Sequence, residues 1–151
     1  MKISRHLYTF YIAALLSLVL YTGCENKRDE SGSLGGMWQL TEWRNADGSP
    51  AYDKPDTLIY YKIRNNLIMM QELPGEVENY FITYYHLEGE NLVITQPYTI
   101  VRDAELDTIS YPISVLRKYG IPGNGRLHIQ ELNSDKMVLT GEEGTLRFRK
   151  Y

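Results

Sequence analysis

Residues 57–73 read TLIYYKIRNNLIMMQEL, and this stretch decides the fold. Two runs rich in Ile, Leu, Met and Tyr flank Asn65-Asn66. Asparagine tolerates the positive φ angles of a two-residue turn, so the stretch predicts a tight antiparallel hairpin. Within the first run, Ile59, Tyr61 and Ile63 recur with a period of two, which predicts that one face of the strand is turned to a core.

Similar segments recur along the rest of the chain. Short β-type runs alternate with turn residues at intervals typical of a sandwich or a barrel. The turn signals at 88–91, 133–135 and 141–144 favour antiparallel pairing of consecutive strands. The other predicted strands are 37–44, 78–87, 92–96, 98–102, 126–132, 136–140 and 145–150.

One segment, 112–119, predicts a helix. Ser110 is its candidate N-cap and Gly120 its C-terminal stop. The segment spans barely two turns, so packing must hold it in place. Its apolar stripe consists of Ile113, Val115 and Leu116.

Alternation within the strands predicts the residues that face inward. In the run 78–87 both parities carry bulky side chains, so the choice of inward face is open there. The predicted inward set is Ile59, Tyr61, Ile63, Phe81, Thr83, Tyr85, Leu87, Leu92, Ile94, Leu127, Ile129, Leu146 and Phe148.

The N-terminus has the layout of a secretory signal over residues 1–23. A basic start that includes Lys2 and Arg5 precedes a mostly apolar run at 7–21. A membrane-spanning helix needs about 20 apolar residues, which is longer than this run. A cleaved signal is therefore favoured over a membrane span.

Cys24, the only cysteine, follows this leader directly. The small residues Thr22 and Gly23 before it resemble the bacterial lipobox, although Tyr21 stands where Leu is usual. That resemblance implies that the Cys24 sulfur carries a diacylglycerol and that the protein bears fatty-acyl chains such as palmitate. The expected location is the cell envelope, anchored to the outer membrane on its periplasmic or surface face. A signal cleaved elsewhere, with Cys24 a bystander, is the competing interpretation.

The leader is followed by a polar, Gly- and Ser-rich tether at 24–35 and then by one domain at 36–151. The charged tether residues are either a surface-sorting signal or a solvated linker. Losing Lys2 and Arg5 with the leader takes the net charge from −3 to −5. Without a cluster of Lys and Arg, nucleic acid is not an expected partner.

The start of the domain carries the residues of a family resemblance. Gly36-Met37-Trp38 matches the Gly-x-Trp signature at the entry to the first strand of lipocalins. Together with Tyr119-Gly120-Ile121 and the ending Leu-x-Phe-Arg-Lys at 146–150, it resembles the small lipocalin-like domains of bacterial lipoproteins of unknown function. The resemblance covers 36–151.

The resemblance implies an all-β, antiparallel up-and-down barrel of about eight strands with one short helix. Such closure removes exposed strand edges. It also implies that Arg147 or Arg149 stacks on Trp38 and closes the barrel floor. The helix lies earlier in the chain than in classical lipocalins, and their Thr-Asp-Tyr motif is missing.

The usual enzyme signatures do not occur in the sequence. His86 and Glu88 could form a base with its orienting carboxylate on one strand face, but the plainer interpretation is a surface or wall histidine, as for His128. We therefore expect no enzyme, no catalytic residue and no cofactor.

An acidic run is the one candidate for a metal ion. Asp103, Glu105 and Asp107 alternate and could collect Ca²⁺ on one face of an extended segment. A solvated loop or edge strand is the preferred interpretation, because the glycine and distal ligand of a calcium loop are missing. No metal site is assigned.

The chain holds 13 tyrosines, and aromatic residues at strand spacing suit a core or a pocket equally. Tyr61, Met69, Thr83 and Tyr85 are the candidate ligand-binding residues. The first functional hypothesis is a non-enzymatic, lipid-anchored barrel whose mouth binds a small hydrophobic or aromatic molecule. The second is a filled barrel that serves as a structural module and docks another envelope protein. An enzyme is the third.

Overall fold

A computed structural model describes residues 31–51, 58–74, 80–100 and 108–151. These residues form two short 3-10 helices, η1 (Gly32–Leu34) and η2 (Ile113–Tyr119). They also form ten strands: β1 (Gly36–Asn45), β2 (Leu58–Arg64), β3 (Leu67–Leu73), β4 (Tyr80–Glu88), β5 (Asn91–Ile94), β6 (Tyr98–Ile100), β7 (Thr108–Ser110), β8 (Arg126–Leu132), β9 (Lys136–Gly141) and β10 (Gly144–Lys150).

Eight of the strands close into a ring in the order β1, β2, β3, β4, β5, β8, β9, β10. The pairing of β10 with β1 completes the ring, and every pair in it is antiparallel. The predicted up-and-down barrel is confirmed. The strands β6 and β7 form a hairpin that joins the sheet beside β4.

The hairpin of residues 58–73 forms as its sequence predicts. Leu58 pairs with Leu73 and Arg64 with Leu67 without a register shift. Asn65 adopts a φ of 54° in the turn between them, a conformation that asparagine tolerates. This hairpin places Ile59, Tyr61 and Ile63 in the core.

The predicted inward parity is confirmed, including on β4, where sequence left it open. Thr83 is fully buried and Tyr85 nearly so, and Phe81 and Ile129 are partly buried against the core. Leu87 is the error, because it is 52% exposed. It lies next to the turn that ends β4, beyond the part of the strand that faces the interior.

The short elements differ from prediction in three respects. The helix is a 3-10 helix that begins after Pro112, while Ser110 lies in β7 and makes no cap. Gly120 ends it with a φ of 89°, as predicted. The strand β7 was missed, because its three residues are all exposed and carry no alternation of burial. Residues 32–34, placed in the tether, form η1 instead, and Leu34 belongs to the core.

Up-and-down order gives the barrel two ends. We call "floor" the end formed by η1, the first residues of β1 and the last residues of β10. We call "mouth" the opposite end, formed by η2, the turn at 142–143, the last residues of β3 and the first of β4. The predicted signal, Cys24 and the acidic run at 103–107 lie outside the described residues.

Candidate functional site

The floor is closed around Trp38, whose side chain is fully buried. Its Nε1 donates a hydrogen bond to the Leu34 carbonyl at 2.7 Å, and the Lys150 Nζ lies 4.9 Å from the ring centroid. Gly36 has a φ of 130°, and a Cβ there would lie 2.6 Å from Lys150 Cε. The glycine of Gly-x-Trp therefore leaves room for the lysine stem that crosses the tryptophan.

The prediction that Arg147 or Arg149 covers Trp38 is wrong, because both arginines point away from the interior. Arg147 Nε lies 3.0 Å from Glu42 Oε2, and Arg149 Nε donates to Gln39 Oε1 at 2.9 Å. The strand register explains the error. Trp38 pairs directly with Lys150, which shares its side of β10 with the inward Leu146 and Phe148.

The barrel interior is filled with the protein's own side chains. Of the four predicted ligand-binding residues, Tyr61 donates its hydroxyl to the Tyr119 carbonyl at 2.8 Å, and Thr83 donates to the Thr95 carbonyl at 2.8 Å. Tyr85 donates to the Asn65 carbonyl, also at 2.8 Å. The fourth predicted residue, Met69, has the opposite parity to the buried Met70.

Within the described residues, every buried side-chain nitrogen and oxygen has a hydrogen-bond partner. The interior groups that could have oriented a ligand are thus already bonded to the protein. Strand parity alone could not have revealed this, because the partners come from η2 and from loops.

The mouth is plugged by the segment that contains η2. Leu116, Tyr119 and Ile121 are fully buried. A Cβ on Gly120 would lie 2.5 Å from Leu146 Cδ2, so the plug sits tightly against β10. From the barrel interior, the Tyr61 hydroxyl holds the plug in place by donating a hydrogen bond to the Tyr119 carbonyl.

An aromatic cluster lies where the plug meets β4. The Phe81 ring is perpendicular to the Tyr111 ring, with centroids 5.2 Å apart, and is 6.2 Å from the Tyr119 ring. Lys118 Nζ lies 5.2 Å from the Phe81 centroid and 5.0 Å from the Tyr119 centroid. Lys118 is exposed and Phe81 and Tyr111 are partly buried, so the cluster can be reached from solvent. We call these four residues the mouth cluster.

Comparison with known proteins identifies the same fold as the strand pairing does. Residues 18–151 match the model of the lipocalin-like domain family. The chain belongs to that family. A lipocalin-like protein from Bacteroides uniformis is 24% identical, with 80% of this chain and 100% of that one aligned and a TM-score of 0.57. An uncharacterised protein from Bacteroides eggerthii is 22% identical over 78% of this chain and 98% of that one, with a TM-score of 0.53. No curated protein matches.

These two structures share the fold of the lipocalin-like domain. At such identities the likeness carries no information on ligand or activity. In the part of the chain that the structure describes, no helix has the length and apolarity to cross a bilayer.

The two phenols joined where the plug meets β2 have raised pKa values. Burial raises the pKa of Tyr61 far above its usual range, and the neighbouring Tyr119 adds to the shift. Burial, and then the negative charge of Glu72, raises the pKa of Tyr119 to about 12. Both phenols therefore stay neutral at physiological pH and act as hydrogen-bonding and packing groups.

The predicted base candidate His86 lies on the outer wall of the lipocalin-like domain. Its Nε2 is 3.1 Å from Glu88 Oε1, and Arg126 Nη2 is 2.6 Å from Glu88 Oε2. Hydrogen bonds from Arg126 and His86 lower the pKa of Glu88. His128 lies 4.0 Å from Glu90. All of these side chains are exposed, and in the described ranges no three acidic, His or Cys residues are placed to hold a metal.

Sequence reasoning missed the residues that close both ends of the lipocalin-like domain. Lys150 could have been found by extending the parity of Leu146 and Phe148 by one more step. Lys118 carried no such signal, and Tyr119 was recognised only as part of the Tyr-Gly-Ile element of the family resemblance. Their positions depend on how the plug docks across the barrel.

Proposed function

We propose that this lipocalin-like protein is a non-enzymatic binding protein of the bacterial cell envelope. A lipid on Cys24 would anchor it to the outer membrane, and a small hydrophobic or aromatic molecule would bind at its mouth. The observation that carries the proposal is the mouth cluster, in which the paired aromatic residues Phe81 and Tyr111 are only partly buried.

The mouth suits a ligand better than the interior does. A ligand in the interior would have to displace fully buried side chains such as Tyr61 and Met70. Close-packed cores resist such displacement, because lost packing costs several kcal/mol (about 2–5 for one large side chain). Contact with the mouth cluster demands no such rearrangement, since Phe81 and Tyr111 are only partly buried.

The binding proposal is tested with a neutral aromatic probe, phenylnaphthylamine, whose fluorescence rises in apolar surroundings. Phe81→Ala and Tyr111→Ala should each weaken its binding to the full chain about fivefold, the effect of losing one ring contact. Tyr84→Ala is the matched control, because Tyr84 is 48% exposed and stacks with Tyr98 on the outer wall. Equal probe affinity in the wild type and all three variants, with unchanged circular dichroism, would contradict binding at the mouth.

The anchor is tested separately in cells. Cys24→Ala should move the protein from the membrane fraction to the soluble fraction or leave it as uncleaved precursor. Mass spectrometry of the wild-type N-terminus should find a diacylglyceryl cysteine. An unmodified Cys24 thiol in membrane-extracted protein would overturn the anchor and leave the binding proposal standing.

A filled structural module that docks an envelope protein is the second candidate, and one observation favours it. Tyr84, Ile100 and Ile109 are all between 41% and 48% exposed on β4, β6 and β7. Exposed apolar side chains on neighbouring strands often mark a protein interface. In-cell cross-linking that is lost in Ile100→Asp and Ile109→Asp variants, together with no binding of the neutral probe, would favour this function over the first.

A further inference from the structure

We infer that the ligand of the mouth is an amphipathic anion, with a ring or apolar body and a carboxylate, sulfonate or similar group that pairs with Lys118. This inference rests on the proposed function and names its ligand class. The juxtaposition that carries it is a lysine ammonium held over two aromatic rings, with no ion-pair partner among the residues that the structure describes.

The ammonium of Lys118 retains hydrogen-bonding capacity. It contacts the faces of Phe81 and Tyr119, at 5.2 and 5.0 Å from their centroids. An ammonium has three N–H donors, and ring faces satisfy them only in part. Among the described residues, no acidic side chain forms an ion pair with Lys118. Its solvent-facing side is therefore available to an anion.

Half of the basic residues in the described ranges are paired with an acid. Five of the ten have a carboxylate within 3.0 Å, and the chain as a whole carries more acidic than basic residues. Lys118 differs from these five, because its contacts in those ranges are with two aromatic rings. The paired residues are Arg44, Arg117, Arg126, Lys136 and Arg147.

The plug fixes where Lys118 stands. Its neighbours in sequence, Arg117 and Tyr119, point elsewhere: Arg117 pairs with Glu143 at 3.0 Å, and Tyr119 is buried. Gly120 then ends the helix against Leu146. A charge on a pre-positioned backbone loses little conformational freedom on binding, which favours recognition.

The mouth cluster offers one cation beside its rings. The anionic group of a ligand would pair with Lys118, while its apolar body lies against Phe81 and Tyr111. Ring stacking and the ion pair would then act on the two halves of one molecule.

A matched pair of probes tests the inference. Anilinonaphthalene sulfonate and phenylnaphthylamine share one aromatic body, and only the first is an anion. Binding is followed by energy transfer from tryptophan to the probe, with the full chain purified from membranes and placed in neutral phosphatidylcholine nanodiscs. The signal of empty nanodiscs is subtracted.

Lys118→Met should weaken binding of the sulfonate about fivefold more than binding of the neutral probe, as expected for loss of a partly exposed ion pair. Arg117→Met is the matched control. It removes the same charge from the same helix, but on the side paired with Glu143. Its effect on either probe should stay below about twofold, and Lys118→Arg should retain the preference for the sulfonate.

The outcomes separate the two proposals. If neither probe binds the wild type, the proposed binding function fails, and the inference fails with it. If both probes bind and Lys118→Met affects them equally, the anion inference fails while the binding function stands. Equal losses of sulfonate binding in Lys118→Met and Arg117→Met would mean general charge attraction and would also overturn the inference.

Discussion

The floor and the mouth of this barrel both place a lysine over an aromatic ring, but they are built in different ways. At the floor, Trp38 and Lys150 are direct partners across β1 and β10, and Leu34 completes the closure. At the mouth, Lys118 and its neighbour Tyr119 meet Phe81 of β4 only because an inserted segment docks on the barrel end. Pairing across adjacent strands builds the floor, and docking of a plug builds the mouth.

The two ends of the barrel are therefore expected to serve different purposes, the floor for stability and the mouth for binding. The floor tryptophan is fully buried, and its one polar atom is bonded to the Leu34 carbonyl. The mouth cluster keeps two partly buried rings and a lysine ammonium facing solvent. We therefore expect changes at the floor to act mainly on the free energy of unfolding and changes at the mouth to act mainly on ligand affinity.

The largest expected effect comes from the two tryptophans. Trp38→Ala should lower the free energy of unfolding by about 4 kcal/mol, because it empties the fully buried floor. Trp43→Ala, at the mouth end of β1 and only partly buried, should cost about 2 kcal/mol or less. Urea unfolding of the full chain measures both. A larger loss at Trp43 would reverse the comparison.

The second-largest effect on the free energy of unfolding is expected in the plug. Leu116→Ala should destabilise the protein by about 3 kcal/mol, since the side chain is fully buried in the core. Ser114→Ala, an exposed position on the same helix, should stay within about 0.5 kcal/mol. If Leu116→Ala were as mild as Ser114→Ala, η2 would be a loosely attached lid instead of part of the core.

The third effect depends on pH and on the phenols beneath the mouth. Tyr61 and Tyr119 have folded-state pKa values above the unfolded value of 10.0, and that of Tyr119 is about 12. The folded state therefore holds protons that the unfolded state loses, so stability is full below pH 10 and falls as pH rises from there toward 12.

Each phenol should contribute a slope of about 1.4 kcal/mol per pH unit within that window. Urea unfolding measured at several alkaline pH values should show the decline, and Tyr61→Phe should flatten it. Tyr85→Phe, which loses a hydroxyl bonded at the turn near the floor, should lower stability without changing the slope. Identical slopes in all three proteins would contradict the assignment.

The smallest effect concerns the lysine of the floor. Lys150→Met should cost about 0.5–1 kcal/mol, the size of an exposed cation–π contact, and should shift the emission of Trp38. A Trp43→Phe background leaves Trp38 as the only tryptophan, so its emission can be excited selectively. Arg149→Met should leave that emission unchanged, because Arg149 bonds to Gln39 on the outer wall. A spectral shift in Arg149→Met alone would restore the arginine as the residue over the ring.

Much of the fold follows from local pattern. The hairpin at 58–73, the turn at Asn65 and the inward face of β2 were predictable, because period-two burial and turn chemistry act over a few residues. Gly120 as the helix stop is of the same kind, since a left-handed residue there favours glycine. The candidate site was less predictable: Tyr61, Thr83 and Tyr85 were expected to line a pocket, and each bonds to the protein's own backbone.

The amino-acid sequence by itself determined the antiparallel strands, their inward faces and the Gly-x-Trp floor, because each depends on residues that are neighbours along a strand or across a tight turn. The tertiary structure alone decided which basic residue covers Trp38 and how the mouth is closed. Those contacts join β1 to the last residue of β10 and the plug to β2, β4 and β10. Such contacts depend on the register of the closed ring, which brings together residues far apart in the chain.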